Sequence, residues 1–257
     1  MSKHVLQISK IFKIVVIFIC ICRPVFHAEF EEDEIENLIN SQFLTCTTTA
    51  RIQNKASKFH LHSHPINYGS GSGQQTITGL ESKTDVGSLW IFKEAEGEKM
   101  CLTGEPIPCG SHIRLEHMGT QKNLHTHDFP SPVSGRQEVS GFGENGKGDK
   151  GDNWIIECKD SLKGDKINGR TEFYLKHQLT GNYLYTDSRS MFNHQNCRNC
   201  PIVGQAEISS TRAKNQNGLW RFVGGYFFSH DNTGDFGLGD IVEEDTNYND
   251  DYFKEDL

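Results

Sequence analysis

Three histidines at alternating positions, His60, His62 and His64, are the residues whose type and spacing most directly suggest chemistry. Alternate residues of a β-strand lie on one face, so three such imidazoles could reach a single metal ion. His125 and His127 repeat this spacing further along the chain. Imidazole also titrates near neutral pH, so a reactive histidine is a second interpretation. Both interpretations depend on the elements that hold the rings.

The histidines belong to a sequence that occurs three times. The three copies of this segment are Leu61-His62-Ser63-His64, Leu124-His125-Thr126-His127 and Leu184-Tyr185-Thr186-Asp187. A glycine-led run of polar and β-branched residues follows in each copy, at 73–79, 135–141 and 204–210. Each copy then ends near one of the three tryptophans of the chain, Trp90, Trp154 and Trp220. Segments that recur in the same order indicate an internal structural repeat.

Each copy contains four short stretches with the alternation of β-strands, separated by loops rich in Gly, Asn, Ser and Asp. For copy two we expect strands at about 111–116, 123–126, 137–142 and 153–158. Helical periodicity is absent through the body of the chain, and we expect no helix after the glycine-rich loop at 144–152. Three copies of four strands predict an all-β fold, a β-trefoil. The copies span about 43–100, 101–160 and 161–228.

The repeat favours a structural role for the histidines. Copy two keeps only two of them, and copy three has Tyr185 and Asp187 in their place. We expect no Asp or Glu partner at an equivalent position of the copies, and therefore no metal and no cofactor. A zinc site is the less favoured alternative. No Ser-His-Asp or Cys-His arrangement indicates catalysis.

Copies one and two resemble the MIR repeats of the stromal cell-derived factor 2 family. The resemblance rests on the His-Ser-His and Leu-His-Thr-His segments and on the runs 68–75, 131–144 and 151–154. It covers roughly residues 43–228. Copy three departs from the pattern through its lost histidines and through an inserted run, Asn196-Cys197-Arg198-Asn199-Cys200.

This resemblance implies a soluble, non-enzymatic protein of the endoplasmic reticulum lumen built as a β-trefoil of three MIR repeats. It also implies association with a J-domain co-chaperone and the ATPase chaperone BiP, and contact with unfolded secretory clients. The fold alone does not imply this function. The residues that we take as candidate binding loops are His60, His62, His64, Tyr68, Ser70, Gly71, Ser72, Gly73, His125 and His127.

The loop Ser70–Gly73 has two interpretations. It could hold a glycan, with Tyr68 as the aromatic stacking platform, so a carbohydrate-binding module that recognises glycosylated or O-mannosylated proteins is the alternative function. The favoured interpretation is a hairpin connection in which glycine supplies positive φ angles.

Both ends of the chain resemble targeting signals. Lys3, Lys10 and Lys13 precede the apolar run 14–22, and Ala28 follows, which is the order of a secretory signal peptide over residues 1–28. The run is too short to span a bilayer, so we expect no membrane anchor after cleavage. The C-terminal residues Lys254, Glu255, Asp256 and Leu257 resemble an endoplasmic reticulum retrieval signal with its two acids exchanged. We expect residence in the endoplasmic reticulum lumen, with secretion if retrieval is inefficient.

The net charge of −8 belongs to the ends of the chain. An acidic segment lies at 29–42, and a longer acidic tail lies at 229–257; we expect both to be flexible. Residues 37–230 hold 21 basic against 18 acidic residues, a net charge of +3. No strongly basic domain is present, so we expect no nucleic-acid partner.

Six cysteines remain once the predicted signal peptide is removed, and an even number in an oxidising compartment favours disulfides. Cys46 and Cys109 take equivalent places early in copies one and two, and Cys101 and Cys158 follow the tryptophans. These four are candidates for two disulfides whose pairing stays open. For Cys197 and Cys200 we favour a local disulfide over a redox centre or a zinc site.

Overall fold

The computed structural model describes residues 32–198 and 200–229. The predicted signal peptide and the retrieval residues Lys254–Leu257 lie outside this range, as does nearly all of the acidic tail. No helix in the described range is long and apolar enough to cross a membrane.

Each copy contributes four strands, numbered in chain order. Copy one contains β1 (Thr49–Asn54), β2 (His60–Asn67), β3 (Gln75–Leu80) and β4 (Leu89–Glu94). Copy two contains β5 (His112–His117), β6 (Asn123–Pro130), β7 (Gln137–Phe142) and β8 (Trp154–Cys158). Copy three contains β9 (Phe173–His177), β10 (Tyr183–Met191), β11 (Ala206–Thr211) and β12 (Trp220–Tyr226). The four strands expected in copy two are therefore confirmed, with β6 extended past a break in its register after Thr126.

Six strands form a closed barrel, because β1 pairs with β4 and β12 and the ring continues through β5, β8 and β9. The other six form three hairpins, β2–β3, β6–β7 and β10–β11. Strands β3, β7 and β11 pair with one another and so join the hairpins into a cap over one end of the barrel. This arrangement is a β-trefoil, as the threefold repeat predicts.

The three tryptophans hold equivalent places in one core and are fully buried. A buried indole needs a partner for its N–H group. In each copy it donates to the carbonyl of the leucine that precedes the histidine position. The distances are 2.8 Å from Trp90 to Leu61, 2.8 Å from Trp154 to Leu124 and 3.2 Å from Trp220 to Leu184. The core is therefore built from all three copies, and each hairpin is attached to it through a backbone carbonyl.

The loop between the third and fourth strands of each copy contains a short 3₁₀ helix. These helices span Val86–Ser88, Lys150–Asp152 and Gln216–Gly218. The side chains of Asp85, Asp149 and Asn215 cap them by accepting from the N–H group two residues later. The 3₁₀ helix of copy two lies inside the glycine-rich loop at 144–152, and strand β8 comes next. Side-chain capping stabilises such a single turn without any helical periodicity.

The acidic segment at 29–42 also differs from the expected flexible segment. Residues Glu32–Ser41 form a helix, α1, in which Ile39 is buried. A Cβ atom on Gly169 would lie 2.5 Å from the carbonyl oxygen of Ile39. The absence of a side chain at residue 169 therefore lets the end of α1 pack against copy three.

Candidate functional site

The last residue of the first strand in each copy reaches the 3₁₀ helix of the preceding copy. His117 Nε2 donates to the carbonyl of Gly87 at 2.9 Å, and His177 Nε2 donates to the carbonyl of Gly151 at 3.0 Å. Asn54 takes this role in copy one and donates to Asn217 O at 2.8 Å. Sequence reasoning missed His117 and His177 as functional positions, although both belong to the repeat.

Burial keeps these two imidazoles neutral. It lowers the pKa of His117, and it lowers the pKa of His177 to about 4. Each ring also packs against the tryptophan of the preceding copy, with centroids 5.1 Å apart for His117 and Trp90 and for His177 and Trp154. Their role is to fasten neighbouring copies together.

The three histidines of copy one do not converge on one point. His60 is buried on β2 and accepts a hydrogen bond from Gln53 Nε2 at 3.4 Å. His62 Nε2 lies 3.2 Å from His64 Nδ1. Burial lowers the pKa of His64, and it lowers the pKa values of His60 and His62 to about 4. All three histidines are therefore neutral at pH 7 and do not supply positive charge to the site.

His62, Ser88 and Asp85 have the residue types of a hydrolytic triad without its geometry. A triad needs the serine and the carboxylate on opposite nitrogens of the imidazole. Here Ser88 Oγ and Asp85 Oδ1 both approach His62 Nδ1, at 3.3 Å and 3.5 Å. Ser88 is also fully buried, so no substrate can reach its hydroxyl.

In copy two the histidines meet carboxylates. His125 Nδ1 lies 2.8 Å from Asp152 Oδ1 and 3.7 Å from Asp149 Oδ1. His127 Nε2 lies 3.1 Å from Glu138 Oε1. Asp152 and Glu138 are fully buried. Three carboxylates, those of Asp149, Asp152 and Glu138, thus lie beside the histidines of copy two.

The expectation that no Asp or Glu partner occupies an equivalent position is therefore wrong. Asp85 and Asp149 both cap the 3₁₀ helix of their copy, and each faces the first histidine of its pair. The partner comes from a loop more than twenty residues after the histidine, and the loops differ in length between copies. Comparison of strand segments alone could not align these carboxylates.

Copy three replaces the histidine pair with a different polar group. Tyr185 donates to Asp187 Oδ2 at 3.0 Å and accepts from Asn217 Nδ2 at 2.9 Å. The guanidinium of Arg136 lies 4.4 Å from the centroid of the Tyr185 ring and 3.4 Å from Asp187 Oδ2. The same backbone position thus supports a cation–π contact in place of imidazoles.

Tyr68 is not an exposed stacking platform, and this part of the glycan interpretation is wrong. Its ring is buried with Phe192 and Ile202 in a second apolar cluster below the hairpin loops. Its hydroxyl lies 3.1 Å from the carbonyls of both Ile77 and Val139. Burial raises its pKa. The inserted loop of copy three covers the ring, which sequence alone could not reveal.

The loop Ser70–Gly73 is the hairpin connection expected from its glycines. Gly71 and Gly73 have φ angles of 66° and 67°. The Ser72 hydroxyl donates to Glu138 Oε1, so the loop of copy one is fastened to copy two. Ser70, Gly71 and Gly73 remain exposed. Of the predicted binding residues, this loop is the part most open to a partner.

The structure pairs all six described cysteines. Cys46 bonds to Cys101 and Cys109 bonds to Cys158, so each disulfide closes one copy from its beginning to its end. Cys197 bonds to Cys200, which confirms the local disulfide in the insert. Cys197 and Cys200 are partly buried and pack against the cluster around Tyr68.

Two open clefts lie away from the predicted binding residues. One, of about 400 Å³, lies beside the Cys46–Cys101 disulfide and is lined by Lys93, Glu94 and His112. The other, of about 430 Å³, is lined by Lys159, Arg170 and Glu172. Neither includes a histidine from the paired positions.

The barrel, its cap of hairpins and the repeated histidine segments together define a β-trefoil. The MIR domain family matches residues 57–217 of the chain. Human stromal cell-derived factor 2 is 40% identical over 184 residues, which are 72% of this chain and 82% of the human protein. The stromal cell-derived factor 2-like protein of Dictyostelium discoideum is 36% identical over 219 residues, which are 83% of this chain and 96% of that protein.

A solved structure agrees with these relatives. The crystal structure of the SDF2-like protein from Arabidopsis thaliana has a TM-score of 0.66 and 33% identity, covering 73% of this chain and 98% of that one. The chain belongs to the stromal cell-derived factor 2 family of MIR-domain proteins.

Proposed function

We propose that this protein is a non-enzymatic accessory component of the chaperone system in the endoplasmic reticulum lumen. It acts by binding: the rigid trefoil presents loops to a J-domain co-chaperone, to BiP or to unfolded secretory clients. Family membership is the observation that carries this proposal. The aligned region makes up 82% of the human relative, so little of that protein lies outside the shared region.

Three further features support the proposal. The charged and apolar order of residues 1–28 is that of a secretory signal, and Lys254–Leu257 resembles a retrieval signal. The three disulfides suit an oxidising compartment. Side chains of catalytic type have structural partners, since Ser88 is buried beside His62 and His177 holds two copies together.

Carbohydrate binding is the alternative. It is weakened by the burial of Tyr68, since sugars usually stack on an exposed aromatic ring. The exposed glycines of the Ser70–Gly73 loop supply backbone groups without such a ring. The capture experiment below distinguishes glycan binding from chaperone binding.

The test is affinity capture from a detergent-free lumenal extract on beads carrying residues 29–257 with disulfides intact. Immunoblotting for BiP and for its J-domain partners measures recovery. We expect both to be retained above the level on beads carrying the reduced and alkylated chain, and to be unaffected by free mannose. Recovery only of glycoproteins that free mannose elutes would replace the chaperone proposal with the lectin.

The location has its own test. Removal of Lys254–Leu257 should increase the fraction of the protein found in the culture medium, because a retrieval receptor reads the C-terminal residues. Retention that does not change on deletion would mean that these residues are not a retrieval signal. The variant ending in Lys-Asp-Glu-Leu is the matched control.

A further inference from the structure

We propose that His125, Asp149 and Asp152 form a binding site for one divalent transition-metal ion, with Zn²⁺ as the representative cation. The site lies in copy two, between strand β6 and the 3₁₀ helix Lys150–Asp152. It is independent of the proposed chaperone role.

The three side chains meet the geometric requirement for shared coordination. One ligand atom from each lies within 4.8 Å of the others, and no other group of three or more His, Cys, Asp or Glu residues in 32–198 and 200–229 does so. Nδ1 of His125 is 2.8 Å from Asp152 Oδ1 and 3.7 Å from Asp149 Oδ1. Ligands around tetrahedral zinc lie roughly 3–3.5 Å apart, so small side-chain rotations suffice.

The space between the ligands is kept open by a glycine. A Cβ atom on Gly151 would lie 2.8 Å from His125 Nδ1 and 2.9 Å from Asp149 Oδ1. Any other residue would therefore place a methyl or methylene group against two of the three donor atoms. The φ of Gly151 is not in the left-handed region, so backbone conformation does not require the glycine. A Cβ atom on Gly87 would lie similarly close to His62 and Asp85 in copy one, so this space belongs to the repeat, and only copy two lines it with a second carboxylate.

Hydrogen bonds from neighbouring groups hold the Asp152 carboxylate in place and leave one of its oxygens available to coordinate a cation. Asp152 Oδ2 accepts from Asn123 Nδ2 at 3.1 Å and from the N–H group of Asp149 at 2.9 Å. Its other oxygen is directed at His125. Hydrogen bonds of this kind orient metal ligands in proteins. The ligands are thus largely positioned before a metal arrives.

Charge also favours a cation. In the described part of the chain, neither Asp149 nor Asp152 forms an ion pair with a lysine or arginine. Asp152 is fully buried, whereas the side chain of Asp149 is 59% exposed and opens the site to solvent. A buried carboxylate whose partner is an imidazole, and not a lysine or arginine, is stabilised by a bound cation.

The other two copies serve as internal comparisons. In copy one the corresponding residues are His62, Asp85 and Ser88, so one carboxylate is lost. In copy three they are Tyr185, Asn215 and Gly218, and neither imidazole nor carboxylate remains. Only copy two therefore supplies one nitrogen and two carboxylate ligands, and we expect one site per chain.

The ligand set selects the type of metal. Imidazole suits zinc and its neighbours in the transition series, whereas Ca²⁺ and Mg²⁺ prefer oxygen alone. Three protein ligands leave a fourth position of a tetrahedral site for water or for a side chain of another molecule.

The test is isothermal titration calorimetry of untagged residues 29–257, disulfides intact, with Zn²⁺ at pH 7.5. We expect one site with a dissociation constant in the micromolar range or below, and no heat with Ca²⁺ or Mg²⁺. Asp149→Asn should weaken Zn²⁺ binding at least about tenfold, since it removes one charged ligand. Asp85→Asn is the matched control in copy one and should leave binding unchanged.

Asp149→Asn should fold, because Asn215 already performs the same capping role in copy three. Zn²⁺ should raise the melting temperature of the wild-type chain and of Asp85→Asn, and not that of Asp149→Asn. The proposal is wrong if the wild-type chain binds no Zn²⁺. It is equally wrong if both variants weaken binding alike, or if neither does, because the metal would then be held by other histidines.

Discussion

Copies two and three have the same backbone fold, but different polar side chains occupy their turns. In copy two His125 faces the carboxylates of Asp149 and Asp152. In copy three Arg136, reaching over from copy two, packs on Tyr185 and pairs with Asp187. Both copies keep a buried tryptophan bonded to a leucine carbonyl. The barrel therefore depends on the apolar core. The polar side chains at the turns can differ between copies, provided that each buried polar group has a hydrogen-bond partner.

The disulfides show the same contrast. Cys46 and Cys109 each clamp their own copy, whereas the corresponding residue of copy three is Gly169, against which the end of α1 packs. The disulfide of copy three joins neighbours in sequence, Cys197 and Cys200. Copy three therefore has no long-range disulfide among its described residues, and the end of α1 packs at the position where the other copies have a cysteine.

The largest expected effect tests what the copies share. Trp154→Ala and Trp220→Ala should each lower the free energy of unfolding by about 5 kcal/mol, at the upper end for a buried aromatic residue. The two losses should agree to within about 1 kcal/mol, because both indoles are fully buried and each donates to a leucine carbonyl. Equilibrium urea unfolding measures both, with the exposed Leu179→Ala as the control.

If either tryptophan substitution left the free energy of unfolding unchanged, the two copies would not depend on the core in the same way. That result would mean that the core of that copy is not needed for the cooperative unit.

The second effect separates the two kinds of disulfide. The double variant Cys109→Ala, Cys158→Ala opens a loop with a sequence separation of 49 residues and should lose about 4 kcal/mol of unfolding free energy. The double variant Cys197→Ala, Cys200→Ala opens a separation of 3 residues and should lose about 2 kcal/mol. Urea unfolding under non-reducing conditions gives both values. A greater loss in copy three would show that its disulfide supports the cap beyond loop closure.

The third effect concerns pH. Burial lowers the pKa of His177 to about 4 in the folded chain, whereas the unfolded imidazole titrates near 6.5. As pH falls from 6.5 towards 4, His177 is protonated in the unfolded chain before it is protonated in the folded chain. This difference lowers the free energy of unfolding by about 2 kcal/mol at pH 5. His177→Asn copies the residue of copy one, Asn54, and removes this loss.

We expect His177→Asn to be about 1–2 kcal/mol less stable than wild type at pH 7, since it loses the contact with Trp154. By pH 5 the difference should nearly vanish. Urea unfolding from pH 7 to pH 5 gives the two curves. Parallel curves over that range would show that His177 is not held neutral by burial.

The smallest effect sharpens the contrast at the junction of copies two and three. Arg136→Gln installs the residue that copies one and three carry there, Gln74 and Gln205. It removes the contact with Tyr185 and the ion pair with Asp187, so we expect a loss of about 1 kcal/mol in unfolding free energy. The part due to the ion pair should shrink in 1 M salt. An unchanged melting temperature would mean that this junction adds nothing to stability.

Much of the fold was predictable, because strand patterning is local. The strands of copy two were expected from period-2 alternation, and Gln137–Phe142 was located without error. The turn at Gly71 and Gly73 was also predictable, since positive φ angles favour glycine. The helix α1 was not expected, because its acidic composition favoured a flexible segment although Ile35, Leu38 and Ile39 have helical spacing. Its end packs against Gly169, which is far away in sequence.

The candidate site was predictable only in part. The histidine pairs were visible as repeated letters, but Asp152 lies 27 residues beyond His125 in a loop of different length. Tyr68 has the sequence context of a surface aromatic residue, but it is buried with Phe192 and Ile202, and Cys197 and Cys200 of copy three pack against this cluster. These contacts depend on how the hairpins pack against one another, which the local sequence does not indicate.

By itself the sequence determined the threefold repeat, the type of fold and the family, because alternation, glycine turns and recurring tryptophans are properties of neighbouring residues. Only the tertiary structure decided which polar groups meet. It placed His177 on the carbonyl of Gly151 and His125 against Asp149 and Asp152. The physical reason is that barrel closure brings three copies to a common axis, and contacts between copies have no local signal in the chain.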